Sequence, residues 1–137
     1  KMIDLRRFAR VMAGGRRFNF RAAVVVGNRK GDVGVGVGRG ADTAAALQKA
    51  FRNARKHSVR VPITDTGSIP YRVDGKFSSA VVMMRPAAEG HGLVAGSSVR
   101  AVLDYAGVRN ASAKILSHTK NKVTNAQAAI TALRILR

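Results

Sequence analysis

Cysteine and tryptophan are absent from the chain, which excludes a disulfide scaffold and any cysteine-ligated metal site. The lack of thiols suits a reducing compartment. Acidic residues are scarce: 7 Asp and Glu stand against 25 Lys and Arg in 137 residues, a net charge of +18. A compact chain with that imbalance repels itself, so a polyanion is the expected partner. No apolar run approaches the ~18–20 residues of a membrane span, and the N-terminal text does not read as a secretory signal. Apolar residues are nonetheless plentiful, at 46% of the total. That is enough for a core and too much for a disordered basic tail. The length fits one compact domain, or two small ones sharing an interface.

The charge is uneven. Residues 1–60 carry 15 Lys and Arg against 3 acids, and residues 61–137 carry 10 against 4. The first half is therefore the expected main contact for a polyanion. Leu5 to Ala13 fits either a helical stripe or a strand leading into Gly14-Gly15. Phe18, Phe20, Ala22, Val24 and Val26 then alternate as a strand with one apolar face, ending at a basic turn with Arg29 and Lys30. In the next strand Val33, Val35 and Val37 alternate with Gly34, Gly36 and Gly38. A face without side chains marks close approach by another backbone, either a packed helix or RNA.

A helix capped by Asp42 or Thr43 runs to about His57, with Ala44, Leu47, Phe51 and Ala54 as its expected buried stripe. Lys49, Arg52, Arg55 and Lys56 form a basic exposed face with no acid between Asp42 and Asp65, which suits polyanion contact. Val59, Val61 and Ile63 read as a short edge strand, and Thr64 to Ser68 as the domain boundary. Ile69–Val73 and Phe77–Met84 flank Asp74-Gly75, a hairpin signal. A glycine-bearing stretch, Glu89 to Ser98, opens a helix with Val99, Val102, Leu103 and Ala106 inward and Gly107 as its stop. Ala113–Leu116 reads as a strand. A last helix starts near Thr124 or Asn125, with Ala126, Ile130, Leu133 and Leu136 inward.

Catalytic constellations are poor. His57, His91 and His118 lie on different elements, with no carboxylate at a triad or metal spacing. Asp42 is accounted for as a helix cap, Asp74 in a turn and Asp32 in a loop. Neither a catalytic residue, a metal, a cofactor nor a small-molecule substrate is expected. Gly92 to Ser98 loosely resembles the phosphate loop of small-molecule kinases, but no Lys follows the last Gly and no acidic base is found. Gly14, Gly15, Arg16 and Arg17 form a flexible cationic tip suited to phosphate oxygens. Phe18 and Phe20 beside it suit core packing or, alternatively, base stacking.

Gly14 to Phe20, Val25-Val26-Gly27, Gly31 to Gly38, Ala46 to Ala50, Arg85 to Gly96 and Arg100 to Val108 together resemble the bacterial-type small-subunit ribosomal protein five family, nearly end to end. The resemblance implies an α+β protein of two domains. Residues 1–64 would form a double-stranded-RNA-binding-like domain, a three-stranded antiparallel sheet plus helix. Residues 69–137 would form a second α+β domain with a left-handed βαβ crossover. It also implies small-subunit rRNA as ligand, ribosomal proteins four and eight as neighbours, and a place near the messenger RNA entry path, in a cytoplasmic or organellar ribosome. The last helix departs from the family pattern: Asn121 is followed by Lys122 instead of Pro, and Gln127 holds a position that is usually basic.

The expected RNA contacts are Arg7, Arg10, Gly14, Gly15, Arg16, Arg17, Arg21, Arg29, Lys30, Arg39, Lys49, Arg52, Arg55 and Lys56. Gly92, Gly96 and Arg100 are the expected protein-partner interface, and the family likeness puts the loop Ala13 to Arg17 near the drug-sensitive neck of the subunit. A free-standing double-stranded-RNA binder and a glycine/serine-loop kinase are the alternative readings.

Overall fold

The computed structural model of the chain describes residues 2–12 and 14–136, without the side chains at positions 8–12, 16–18 and 97. Three long strands open the fold: β1 (Met2–Met12), β2 (Gly15–Gly27) and β3 (Asp32–Gly40), paired antiparallel in chain order. The ambiguous segment after Leu5 is strand as far as Met12, because β2 offers it a full ladder, from Leu5 opposite Ala22 to Met12 opposite Gly15. Tertiary pairing decides what the apolar spacing left open. Asp32 is the first residue of β3 and not a loop residue.

Helix α1 (Thr43–Lys56) starts on Asp42, whose Oδ1 accepts the Ala45 N–H at 2.7 Å. It lies on the glycine face of β3. A Cβ placed on Gly34, Gly36 or Gly38 would come well inside 3.0 Å of the backbone of Ala54, Ala50 or Ala46. The bare face therefore serves helix packing, not RNA approach. That close approach also moves the buried stripe: it runs through Ala46, Ala50 and Ala54, while Ala44 and Phe51 are exposed and Leu47 sits at the rim. Only alanine fits where the helix backbone touches the sheet, so the larger apolar residues are displaced to the flanks.

A fourth strand, β4 (Val59–Arg60), pairs with Asp32 and Val33 at the sheet edge. The first sheet thus has four strands, against the three expected, and the expected run to Ile63 stops at Arg60. Pro62 has no N–H to extend the ladder. Thr64 to Ser68 is a tight turn in which the Thr64 hydroxyl accepts the Ser68 N–H at 3.0 Å.

The second sheet contains β5 (Val73–Phe77), β6 (Ala80–Pro86), β7 (Leu93–Val94) and β8 (Ala111–Ile115), in the order β5-β6-β8-β7. Its hairpin turns at Ser78-Ser79, with Phe77 opposite Ala80. Asp74-Gly75 lies inside β5 instead of forming the turn, and the reason is packing. A Cβ on Gly75 would strike Ala128 and Ala132 of the last helix. Strand β7 falls within the stretch expected to be loop, and it pairs parallel with β8 through the crossover helix α2 (Ser97–Ala106). As expected, Gly107 ends α2, at φ 97°. Helix α3 (Lys122–Ile135) begins earlier than expected because Asn121 Oδ1 accepts the N–H groups of Val123 and Thr124.

Two cores result. A small one joins Ala22 and Val24 to the alanines of α1. A large one runs from Val25, Val33 and Val35 of the first sheet through α2 and α3 to the second sheet. Strand β2 is therefore apolar on both faces in its second half, not one, with Ala23 and Val25 buried opposite α1. Each fully buried valine on the shared side contributes about 1.5–3 kcal/mol.

Candidate nucleic-acid interface

The expected cations fall into three groups, not one patch. The first lies where the β1–β2 hairpin leaves the sheet. Cross-strand register sets Arg6 opposite Arg21, and Arg21 opposite Arg39, so three arginines form a row across three strands. Directly paired strand residues share a face, here the one away from α1. Arg6 and Arg39 are exposed and Arg21 is half-buried. Like charges at strand spacing repel, and a phosphate chain laid along the row relieves that repulsion. Asp4 lies 3.4 Å from Arg6 Nε.

Arg10 lies opposite Arg17, four residues along β1 from Arg6, and Arg7 is exposed on β1 opposite Phe20. The side chains of Arg10, Arg16 and Arg17, and that of Phe18, lie outside the described residues. Beyond Gly40, which pairs with Phe20, β2 continues toward the tip with β1 as its only partner among the described residues. Gly14 and Gly15 close this arm in open space, Gly15 at φ 125°.

The second group is the outer face of α1. Lys49, Arg52, Arg55 and Lys56 are all exposed, and no ion pair joins any of them to a carboxylate among the described residues. Arg55 and Lys56 also sit in the last turn, where the helix dipole favours positive charge.

The third group behaves differently. Arg29 and Lys30 occupy the β2–β3 turn, six residues along β2 from Arg21, or roughly 20 Å. This turn caps α2 from outside. The Arg29 N–H donates to the Tyr105 carbonyl at 3.0 Å and the Gly31 N–H to that of Ala106 at 2.8 Å. Two carbonyls that a helix end leaves unpaired are thereby satisfied by the first sheet. The Arg29 guanidinium lies 3.6 Å from Asp104 and 5.0 Å from the centre of the Tyr105 ring. Arg29 thus joins the two sheets, and its side chain remains partly exposed. Lys30 is exposed and lines a cavity of about 540 Å³ with Arg60 and Leu136.

The glycine-rich stretch is tied into the fold. The Gly92 N–H donates to Asn110 Oδ1 at 3.0 Å, and its carbonyl accepts from the Ala111 N–H at 3.2 Å. Gly96 is the N-cap of α2, and Arg100 reaches back to the Leu93 carbonyl. The backbone a phosphate loop would need at Gly92 is already committed. Among the described residues no three His, Asp or Glu side chains gather as a metal site. His57 caps α1, with Nδ1 2.9 Å from the Asn53 carbonyl.

Arg6 is the residue that sequence reasoning missed. Its partnership with Arg21 and Arg39 follows from strand register, which could not be read while its segment fitted a helix equally well.

The arrangement defines a class: a basic two-sheet α+β protein whose cations stand on a projecting arm and a helix face, away from its apolar core. Comparison with known proteins goes further. Residues 1–62 match the family described as ribosomal protein S5, N-terminal domain, and residues 75–137 match ribosomal protein S5, C-terminal domain. The whole chain is 49% identical to small ribosomal subunit protein uS5 of Trichormus variabilis, covering 78% of that protein. Identity is also 49% to the uS5 protein of Thermosynechococcus vestitus, again over 78% of its length. It is 47% to small ribosomal subunit protein uS5c of Cyanophora paradoxa, over 80%. The chain belongs to the ribosomal protein S5 family.

Proposed function

We propose that the chain is a structural constituent of the small ribosomal subunit that binds small-subunit rRNA and has no chemistry of its own. The observation that carries this reading is the cationic face of α1, Lys49, Arg52, Arg55 and Lys56, exposed and joined to no carboxylate among the described residues. The mechanism is electrostatic and geometric. Cations neutralise phosphates, and the rigid sheets hold RNA segments in register. A-form RNA is met through its shape and phosphates, so a helix face and an arm suffice.

Residues 1–64 act as the main RNA-binding unit, and residues 69–137 face protein neighbours, among them ribosomal proteins four and eight. The contacts are Arg7, Arg10, Arg16, Arg17, Arg21, Arg39 and the α1 cations, joined by Arg6. Gly92, Gly96 and Arg100 belong to the protein-facing side. Membership of the family supports a ribosomal location and a role near messenger entry and decoding accuracy.

The test is sedimentation of the chain with small subunits through a high-salt gradient, paired with a salt titration on small-subunit rRNA. Co-sedimentation is expected, with log affinity falling by roughly 0.7–0.9 per phosphate neutralised for each unit of log salt. Absence from the subunit, or a total slope shallower than about 2, overturns the reading.

A further inference from the structure

Between α1 and α3 the two units leave a cavity of about 310 Å³. Asn53 and His57 stand on its wall at i and i+4 of α1, and Gln127, Thr131 and Arg134 at i, i+4 and i+7 of α3. Phe77, the last residue of β5, closes one side and is 43% exposed. Val35 of β3 and Ile130 of α3, both buried, give the cavity an apolar floor.

The wall carries polar groups that the fold leaves unused. Among the described residues, the side-chain amides of Asn53 and Gln127 have no hydrogen-bond partner. His57 Nδ1 lies 2.9 Å from the Asn53 carbonyl. A carbonyl only accepts, so Nδ1 holds the proton of the neutral ring and Nε2 remains an acceptor. The Thr131 hydroxyl donates to the Gln127 carbonyl at 2.9 Å, and its oxygen can still accept. Among the described residues no carboxylate lines the cavity and none pairs with Arg134.

We propose that this cavity takes one unpaired RNA base, an adenine, stacked on Phe77. The proposal rests on the reading that α1 holds rRNA, and it adds selection of a base to contacts with phosphate. An aromatic ring gives an unstacked base a face to lie on, and polar side chains then read its edge. The donor and acceptor of an Asn or Gln amide match the N6 amino group and a ring nitrogen of adenine. Lys49 and Lys56, at i−4 and i+3 from Asn53, bring the cationic face of α1 to the rim, and Arg134 stands on the α3 side. A strand held on that face passes the opening. Other occupants fit worse. An aliphatic side chain from a protein would bury both amides without partners, a cost that a base avoids. A free phosphate gains nothing from Phe77, Val35 or Ile130. The volume lies at the small end of the ~300–1,000 Å³ of ligand cavities, which admits a single base and no duplex.

The experiment assembles the full chain into small subunits and treats them with dimethyl sulfate, which alkylates unpaired adenine at N1. One adenine protected by the parent chain should become at least about fivefold more reactive with Phe77→Ala, the lower end of what one stacked base contributes. Asn53→Ala with Gln127→Ala should expose the same adenine, and Phe77→Tyr should keep it protected. Benzoylphenylalanine placed at Phe77 should photocrosslink to that nucleotide or its immediate neighbour. Phe77 and Asn53 are exposed and Gln127 is half-buried, so these variants should retain the parent's unfolding midpoint. No charge changes, so the salt slope on small-subunit rRNA should stay within one contact's worth of the parent. Unchanged adenine reactivity, a link to a neighbouring protein, or exposure that tracks a lowered midpoint overturns the proposal. A chain that enters no subunit overturns the proposed function; one that enters and protects no adenine overturns this inference alone.

Discussion

Helices α1 and α3 are alike in one respect and opposite in another. Each rests on a sheet through glycine: α1 on Gly34, Gly36 and Gly38, α3 on Gly75. Each offers alanine at the contact. Yet α1 is buried only along Ala46, Ala50 and Ala54, and keeps an outer face for Lys49, Arg52, Arg55 and Lys56. Helix α3 is buried at Asn125, Ala126, Ala128, Ala129, Ile130, Ala132 and Leu133, between the two sheets. The same close-packing device thus leaves a cationic face open in one unit and locks the core in the other. The difference lies in what covers the far side of the helix.

That comparison fails if the two contacts respond alike. Gly75→Ala should cost about 3 kcal/mol or more, because α3 is held from both sides and cannot retreat from the new methyl group. Gly36→Ala creates a similar clash, but α1 can shift toward solvent, so its cost should be smaller, about 1–3 kcal/mol. Urea denaturation of both variants checks the order. A Gly36 variant as unstable as the Gly75 variant would show that α1 is as tightly held as α3.

The binding half of the comparison is sharpened by charge removal. Replacing Lys49, Arg52, Arg55 and Lys56 with alanine should weaken binding to small-subunit rRNA by at least about tenfold and flatten the log–log salt slope by about 3. Arg134→Ala on α3 should leave that slope within about one contact's worth of the parent. Equal effects from both helices would remove α1's special role.

Arg29 tests the seam between the units. The sequence presented it as one more cation in a basic turn. In the fold it stands at φ 59°, gives its N–H to the end of α2, and lies over Tyr105. Arg29→Ala loses a screened ion pair and a cation–π contact, which together are worth about 1 kcal/mol. Its rRNA affinity should change less than that of Arg52→Ala. A tenfold loss of affinity with unchanged stability would return Arg29 to the RNA contacts.

What was legible in the sequence was local. The Asp42 cap, the Gly107 stop and the exposed cations of α1 depend on neighbours within a few residues, and each reads directly. The errors came from contacts made far along the chain. Asp74-Gly75 has the composition of a turn, and only α3 arriving some fifty residues later makes Gly75 a packing glycine. Helical spacing sets the stripe of α1 at Ala44, Leu47, Phe51 and Ala54, of which only Ala54 is fully buried, because a flat, side-chain-free partner surface is visible only when the glycines of β3 are set against it. The arginine row needed the register of a strand whose own pattern was ambiguous.

The smallest effect is expected at the arm, where glycine serves an angle and not a contact. Gly14 and Gly15 both have open space around them, but only Gly15 is at positive φ, 125°. Gly14→Ala should be neutral within about 0.3 kcal/mol, since it meets no atom and needs no unusual backbone. Gly15→Ala places a Cβ in a region nearly reserved for glycine, a strain of about 1–3 kcal/mol if the turn is held rigid. The tip is not held rigid by the rest of the fold, because among the described residues those before Phe20 on β2 pair with β1 alone. Much of the strain can then be released by local rearrangement, and the global unfolding midpoint should move by less than about 1 kcal/mol. Amide hydrogen exchange distinguishes the two. Protection should fall between residues 10 and 18 in Gly15→Ala and stay at the parent level from Phe20 onward. If protection is lost through β3 as well, the arm is coupled to the core and its role as an independent binding element is wrong.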